Sequence, residues 1–384
     1  MGVGRETERT KMLERAMTLI APDSNEEGRL LSEYGFALGF QGGDYDGACE
    51  AFNRALAIAR RGGDVALEMR TLCQAAQIDM NQGQTRQAQE NSLLALELAP
   101  RANDPAAEAT AHRIVGNYLL MSGDLEAARY HASAVMAPAQ RVGDRFTVLN
   151  AFMLNIRMAM LSGDWVVVRE FTDRGMATSP LDARLLYNQV MLEYQIGDFD
   201  QGEIYIERLL EVMQITTPGP NLDTLYSALA VSQTAQITGT GKRVDLAKMA
   251  AEAVLSSTSA TRVVALIARA AQAILSVIEG DSAAAAEHYT VLESESGTML
   301  SNNADIRADR VLGMLAHTMG NLDQAAAHFE DALAFCRKAG YRPELAWTCC
   351  DYADTLLQRN EPGDRQKAMS LLDESLAISS ELGM

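Results

Sequence analysis

Residues 230–254 read AVSQTAQITGTGKRVDLAKMAAEAV, with Gly239-Thr240-Gly241-Lys242 set between two runs of helical character. Glycines followed by a lysine can cradle a phosphate, so this stretch separates a nucleotide enzyme from a plain turn. A phosphate loop needs G-x-x-x-x-G-K and then Ser or Thr, between a strand and a helix, so that backbone N–H groups face the phosphates. Here Arg243 replaces the hydroxyl residue, the first glycine is misplaced, and the preceding run is helical. The stretch reads as a turn between two helices.

Working outward, the same kind of turn recurs. GDYDGA begins at Gly43, GDLEAA at Gly123, GDWVVV at Gly163, GDFDQG at Gly197 and GNLDQA at Gly320. Weaker copies start at Gly83, Gly280 and Gly363. Gly43, Gly83, Gly123 and Gly163 are 40 residues apart, and the 83-residue gap from Gly197 to Gly280 has its midpoint in the quoted stretch. Five residues after each turn a small side chain returns, as Ala48, Ala88, Ala128, Gly202, Ala285, Ala325 and Ala368, and with the turn set at Lys242 Ala247 joins them. Nine after comes a bulkier one in most copies, as in Phe52, Ile206, Tyr289, Phe329 and Leu372. Small residues also stand twelve after (Ala55, Ala95, Ala332) and seven before (Ala76, Gly116, Ala273, Gly313). Small residues let two helices cross closely while a bulky neighbour fills the groove. Glycine supplies the positive φ that ends one helix, and the following Asp suits the start of the next. The pattern predicts an all-α chain of helical hairpins stacked as a solenoid.

Composition agrees with helices. The 384 residues are 48% hydrophobic and only 6% aromatic. A net charge of −18 argues against a general nucleic-acid surface and against docking on anionic membranes. Cys49, Cys73, Cys336, Cys349 and Cys350 show no C-x-x-C spacing and read as free thiols of a reducing cytoplasm. The start MGVGRETERTK has no signal-peptide core, and Glu6 stands where myristoylation wants Ser or Thr. No apolar run approaches the roughly 18 residues needed to span a bilayer.

These positions resemble the tetratricopeptide repeat. The small residues around the turn and the aromatic nine after it fit that family's pattern, and Pro100 and Pro180 hold its closing-proline place. Ser92, Ala132 and Thr172 depart from the bulky position and Val168 from the small one, and the 40-residue period exceeds the family's usual length of about 34. The variant is similar to that in the maltose-regulon-activator class of signal-transduction ATPases and in ATPase–adenylate cyclase regulators, most of all in EPGDRQKAMSLLDESLAISSELGM, residues 361–384. The resemblance implies a right-handed superhelix of about nine hairpins, turning near 43, 83, 123, 163, 197, 241, 280, 320 and 361, with residues 5–21 as a half-repeat. It also implies a non-catalytic sensor or protein-binding module of a cytoplasmic regulator, whose ATPase module lies upstream. The alternative is a free-standing scaffold or co-chaperone-like adaptor.

Carried over from the family, the groove-facing positions fall on Arg70, Arg113, Asn117, Asn150, Arg157, Arg184, Tyr187, Tyr194, Arg307 and Arg310. Gln77, Met80, Met153, Met160, Met191, Met314, His317 and Trp347 join them. The arginines suit an acidic segment or a carboxylate of a protein or peptide partner, or a small-molecule effector, through bidentate pairing. Arg113 and Asn117 resemble half of a carboxylate clamp, with Arg184 at a third-repeat basic position; Leu154 and Asn188 break it. The competing reading is that these arginines pair with Asp and Glu of neighbouring repeats.

No enzyme signature accompanies them. His112, His131, His288, His317 and His328 have no metal spacing, no G-x-S-x-G elbow is present, and adjacent Cys349 and Cys350 point to different helix faces. No cofactor is implied.

Overall fold

The computed structural model describes residues 3–41, 44–300 and 305–384, so the turn expected at Gly43 lies outside the described residues. The fold is all-α. Its first helices are α1 (Val3–Met17), α2 (Asn25–Gln41), α3 (Tyr45–Gly62), α4 (Val65–Asn81), α5 (Thr85–Ala102) and α6 (Pro105–Ser122). Then come α7 (Leu125–Ala134), α8 (Met136–Val142), α9 (Arg145–Ser162), α10 (Trp165–Thr178), α11 (Ala183–Gln195) and α12 (Phe199–Gln214). The last are α13 (Leu222–Thr238), α14 (Val244–Leu255), α15 (Arg262–Glu279), α16 (Ser282–Leu292), α17 (Ala308–Thr318), α18 (Leu322–Ala339), α19 (Arg342–Arg359) and α20 (Asp364–Leu382). Among the described residues there is no β-strand, only an isolated bridge between Met299 and Arg307.

The turns follow from two residue types. Gly83, Gly123, Gly163, Gly197, Gly280 and Gly320 all take φ between +66° and +81°, which a side chain would resist. The acid after several of these turns caps the next helix: Asp164 accepts from the Val167 N–H at 3.2 Å, Asp198 from Gln201 at 3.2 Å and Asp281 from Ala284 at 3.0 Å. Asp44 caps α3 in the same way, from Gly47 at 2.9 Å. A second set caps the helices between those turns. Asp64 accepts from Leu67, Asp104 from Ala107 and Asp144 from Thr147, each at 3.0 Å, and Asn221 from Thr224 at 2.9 Å. Gln84 holds the same backbone place before α5 with no side-chain cap.

Two turns are longer. In the stretch around Gly239 both Gly239 (φ +66°) and Arg243 (φ +65°) are left-handed, so α13 ends in register with Gly239 while α14 begins as if the turn were Lys242. Three residues have been inserted. The turn after α19 is longer by two residues, with Asn360 at φ +54° and Gly363 at φ +95°. Lys242 and Arg243 both bond Glu203 Oε2, at 2.8 and 2.9 Å, and Arg243 also reaches Glu207. Burial alone would raise the Glu203 carboxyl, but hydrogen bonds from Arg243, Lys242 and Tyr194 bring it down to about 2. The cations of the apparent phosphate loop are thus spent on internal carboxylates.

Elsewhere proline shapes the helices. Pro138 has no N–H for the Ala134 carbonyl, and the helix breaks at Val135 between α7 and α8. Pro100, by contrast, lies inside α5 rather than closing it.

The seam between helices is made of the small residues. Ala48, Ala88, Ala128, Ala285, Ala325 and Ala368 have no exposed surface. A Cβ on Gly202 would lie 2.5 Å from the Tyr194 ring, and one on Gly313 2.8 Å from the Phe329 ring. The departures are buried too, including Val168, Ser92, Ala132 and Thr172.

The chain divides into two units. The first comprises Met1–Leu119, Glu126–Leu154 and Thr258–Val263. Its core gathers Leu31, Ala55 and Ile58, then Phe52 and Ile78, then Met69, Leu72 and Ala111. The second comprises Leu120–Leu125, Asn155–Ser257 and Val264–Met384. Within it the chain returns on itself. The Tyr341 hydroxyl donates to the Leu120 carbonyl, and Trp165 Nε1 donates to the Leu382 carbonyl at 2.8 Å. Two turn glycines are seats for these late hairpins: a Cβ on Gly123 would stand 3.0 Å from Ala339, and one on Gly163 2.7 Å from Leu382.

Replacing Gln84 with Asp is expected to supply the missing cap and stabilise the chain by about 0.5–1 kcal/mol, measured as a raised urea midpoint with unchanged slope. Gly313→Ala gains about 1 kcal/mol of helix propensity but loses more to overpacking on Phe329, so a net loss of about 1 kcal/mol is expected in the same measurement.

Candidate functional site

The inward side of the second unit is built from the first helices of successive hairpins. Tyr187, Met191 and Gln195 recur every fourth residue along α11 and so share one face, with Asn188 beside them. Gln233, Gln236 and Ile237 come from α13, Met160 and Leu161 from the end of α9, and Arg310 from α17, with Asp305 just before it. Pro343, Glu344 and Trp347 on α19 complete a chamber of about 70 Å³, room for roughly five waters or the end of one side chain. Contacts hold it shut from several sides. Trp347 Nε1 donates to Gln195 Oε1 at 3.0 Å, Gln236 Nε2 meets Met314 Sδ at 3.0 Å, and the Tyr187 hydroxyl donates to Gln233 Oε1 at 2.6 Å.

Its charges are paired. Arg310 is buried, donating to Asp351 at 2.7 Å and to Glu344 at 2.9 Å, with its guanidinium 5.9 Å from the Trp347 ring. Arg157 is buried and reaches Asp305 at 2.5 Å. Burial pushes the Asp305 and Glu344 carboxyls above the ordinary range, and Arg157 and Arg310 oppose it. Burial alone would lower Arg310, but Asp351 and Glu344 raise it overall.

Of the ten positions expected in a groove, Tyr187 and Arg310 line the chamber, and Arg157 stands behind Asp305. Arg184 is held by Asp182 at 2.8 Å. Arg307 is buried over the Phe335 ring at 3.9 Å and pairs with Asp309 at 2.7 Å. Tyr194 turns its hydroxyl to Glu203 on α12 at 2.7 Å, toward its own hairpin. In the first unit, Arg70 pairs with Asp104 at 2.8 Å, and Arg113 donates to Gln77. Asn117 is buried and Asn150 half-buried, and neither is free. Arg70, Arg157 and Arg310 thus pair with acids of other hairpins, Arg184 and Arg307 with acids of their own segment, and Arg113 with a glutamine.

Asn188, Gln195, Gln233, Gln236, Asp305 and Glu344 were missed from sequence. Gln233 and Gln236 had a signal: six and three residues before Gly239, they match Met191 and Tyr194 before Gly197 and Arg157 and Met160 before Gly163. Setting the turn at Lys242 hid this, because the insertion shifts the first helix alone. Trp347 likewise stands thirteen before Asn360, as Arg184 does before Gly197 and Arg307 before Gly320.

Other reactive groups are quiet. Burial pushes the Cys73 and Cys349 thiols up to about 12, which keeps them protonated. Among the described residues no three His, Cys, Asp or Glu side chains are placed to hold a metal, and no helix is long and apolar enough to cross a membrane. His112 and His131 face each other through Nδ1 atoms 3.0 Å apart, so the pair holds at most one bridging proton.

Fold and chamber together define an all-α array of helical hairpins. Residues 305–381 match the family model described as "Tetratricopeptide repeat". No curated protein matches the sequence. Among solved structures, a tetratricopeptide repeat protein from Parabacteroides merdae is 15% identical over 91% of this chain and 99% of its own, with a TM-score of 0.31. A chain of the APC/C hetero-tetramer Cut9–Hcn1 is 14% identical over 98% of this chain and 78% of its own, with a TM-score of 0.41. The tetratricopeptide domain of P58(IPK) is 12% identical over 99% and 98%, with a TM-score of 0.22.

Burial lowers both His112 and His131, the latter to about 4 with help from His112. They are neutral when folded but take up protons near pH 6.5 when unfolded, so stability is fully present above that pH and lost as pH falls toward 4. The melting temperature is expected to drop between pH 7 and pH 5, and His131→Gln to flatten that slope in a pH series of thermal melts.

Proposed function

We propose that this chain is the non-catalytic binding and sensing module of a cytoplasmic signalling or transcriptional regulator, recognising a partner protein or a small ligand on the inward side of its second unit. The observation that carries this reading is the chamber. It is a hollow between five helices, lined by the amides of Asn188, Gln195, Gln233 and Gln236 beside apolar and aromatic side chains. A concave site with a few convergent polar groups among apolar walls suits a guest. Tetratricopeptide arrays commonly bind proteins, which the match over residues 305–381 supports. Occupancy would bias the hydrogen bonds joining α11, α13, α17 and α19, and small rotations between hairpins would carry that bias to an attached effector. The internal pairing of the arginines weakens an acidic-partner reading, because a carboxylate would have to displace Asp or Glu.

The test is photo-crosslinking in the source cell with p-benzoylphenylalanine at Gln195 or Gln236, against the exposed outer positions Val166 and Met249. Adducts are expected from the inner positions only. Equal or stronger adducts from Val166 and Met249 would overturn the reading.

A further inference from the structure

The chamber's polarity says what kind of group it takes, and this inference rests on the binding reading above. Its charged wall is Asp305, Glu344 and Arg310. Behind these, Arg157 matches Asp305 and Asp351 takes the other edge of Arg310. Arg307 and Asp309 cancel. Three carboxylates thus face two guanidiniums, a formal excess of one negative charge beside the chamber, inside a chain whose net charge is −18. Arg157 Nε engages only Oδ1 of Asp305 in the pair described.

The unspent hydrogen-bonding groups agree. Asn188 is 4% exposed and uses its amide nitrogen on the Arg184 carbonyl at 2.7 Å, while its Oδ1 accepts nothing among the described residues. The amide oxygen of Gln236 is likewise without a donor there, its nitrogen being turned to Met314. Two carbonyl oxygens with no donor among the described residues, beside an excess carboxylate, call for a donor-only guest. An ammonium is such a group, with three N–H donors and no acceptor. The rings of Tyr187 and Trp347 and the thioether of Met191 can flank the methylenes of its stem. Size points the same way, since about 70 Å³ admits an amine and its last carbons but not a nucleotide or a folded segment.

We propose that the chamber of the second unit is a recognition site for a single primary ammonium group, carried either by a lysine side chain of a partner protein or by a small free amine. Asp305, Asn188 and Gln236 accept its N–H groups, and the aromatic wall holds its stem. A carboxylate guest would add to the existing excess of negative charge and meet the unpaired amide oxygens with repulsion.

The test uses the purified full chain labelled with nitrogen-15, whose two tryptophans give separate indole signals. Trp347 lines the chamber, whereas Trp165 is held by the Leu382 carbonyl and serves as a folding control. The probes are n-butylammonium, Nα-acetyl-lysine amide, a lysine-containing tetrapeptide, and the norleucine and glutamate analogues of the lysine amide. The amines are expected to shift the Trp347 signal saturably, with the norleucine analogue weaker by about tenfold or more. A tetrapeptide stronger than n-butylammonium identifies a protein lysine as guest; parity identifies a free amine. Gln236→Lys, which tethers an ammonium in the chamber, is expected to abolish the shift, and Gln195→Glu to strengthen it, with the Trp165 signal unmoved. If the norleucine or glutamate probe binds as well as the lysine probe, the ammonium assignment is overturned while the chamber stands as a binding site. If no probe moves Trp347, the ammonium assignment is overturned, and only adducts from Gln195 or Gln236 would keep the binding reading.

Discussion

At the centre of most hairpins a side chain no larger than a methyl lets two helices approach closely enough to hide their apolar faces. The other features hang on that approach. With Ala325 fully buried and Gly313 open to the Phe329 ring, α17 and α18 lie close, and the inward face of α17 is fixed relative to α19. Only then can Arg310 span Glu344 and Asp351 on the next hairpin. A bulkier residue at the seam would move a guanidinium that reaches its partners through bonds of 2.7 and 2.9 Å.

Electrostatics then does two different jobs. Acids at helix starts accept from the first free backbone N–H groups and so cap the helices. Buried acids neutralise the inward arginines, and removing one partner of such a pair would leave a stranded charge at a cost of about 3–5 kcal/mol. This explains how a row of arginines can face inward without offering a cationic surface. It also leaves the chamber's amides and its one carboxylate in excess, rather than its arginines, as the groups a guest would meet.

The hairpins were legible because Gly, Asp and small apolar residues return at fixed offsets, and each offset has a steric reason. The chamber was only partly legible. Offsets from a turn place a residue on the inner face, so Tyr187, Met191 and Arg310 could be found; they do not say whether its charge is already matched by another hairpin. Arg157 illustrates the limit. Its partner Asp305 is 148 residues away, and local spacing carries no information about that return of the chain. The inserted residues at 240–242 obscured Gln233 and Gln236 for a different reason: an insertion inside a turn breaks the count for one helix and preserves it for the other.

Trp165 meeting the Leu382 carbonyl, and Tyr341 meeting that of Leu120, make the second unit a clasped hoop instead of an open spring. A hoop resists the uniform stretching that lets linear repeat arrays fit partners of many sizes, since lengthening one arc must shorten another. The return is held by neutral hydrogen bonds of about 1 kcal/mol each and by the buried Arg157–Asp305 pair.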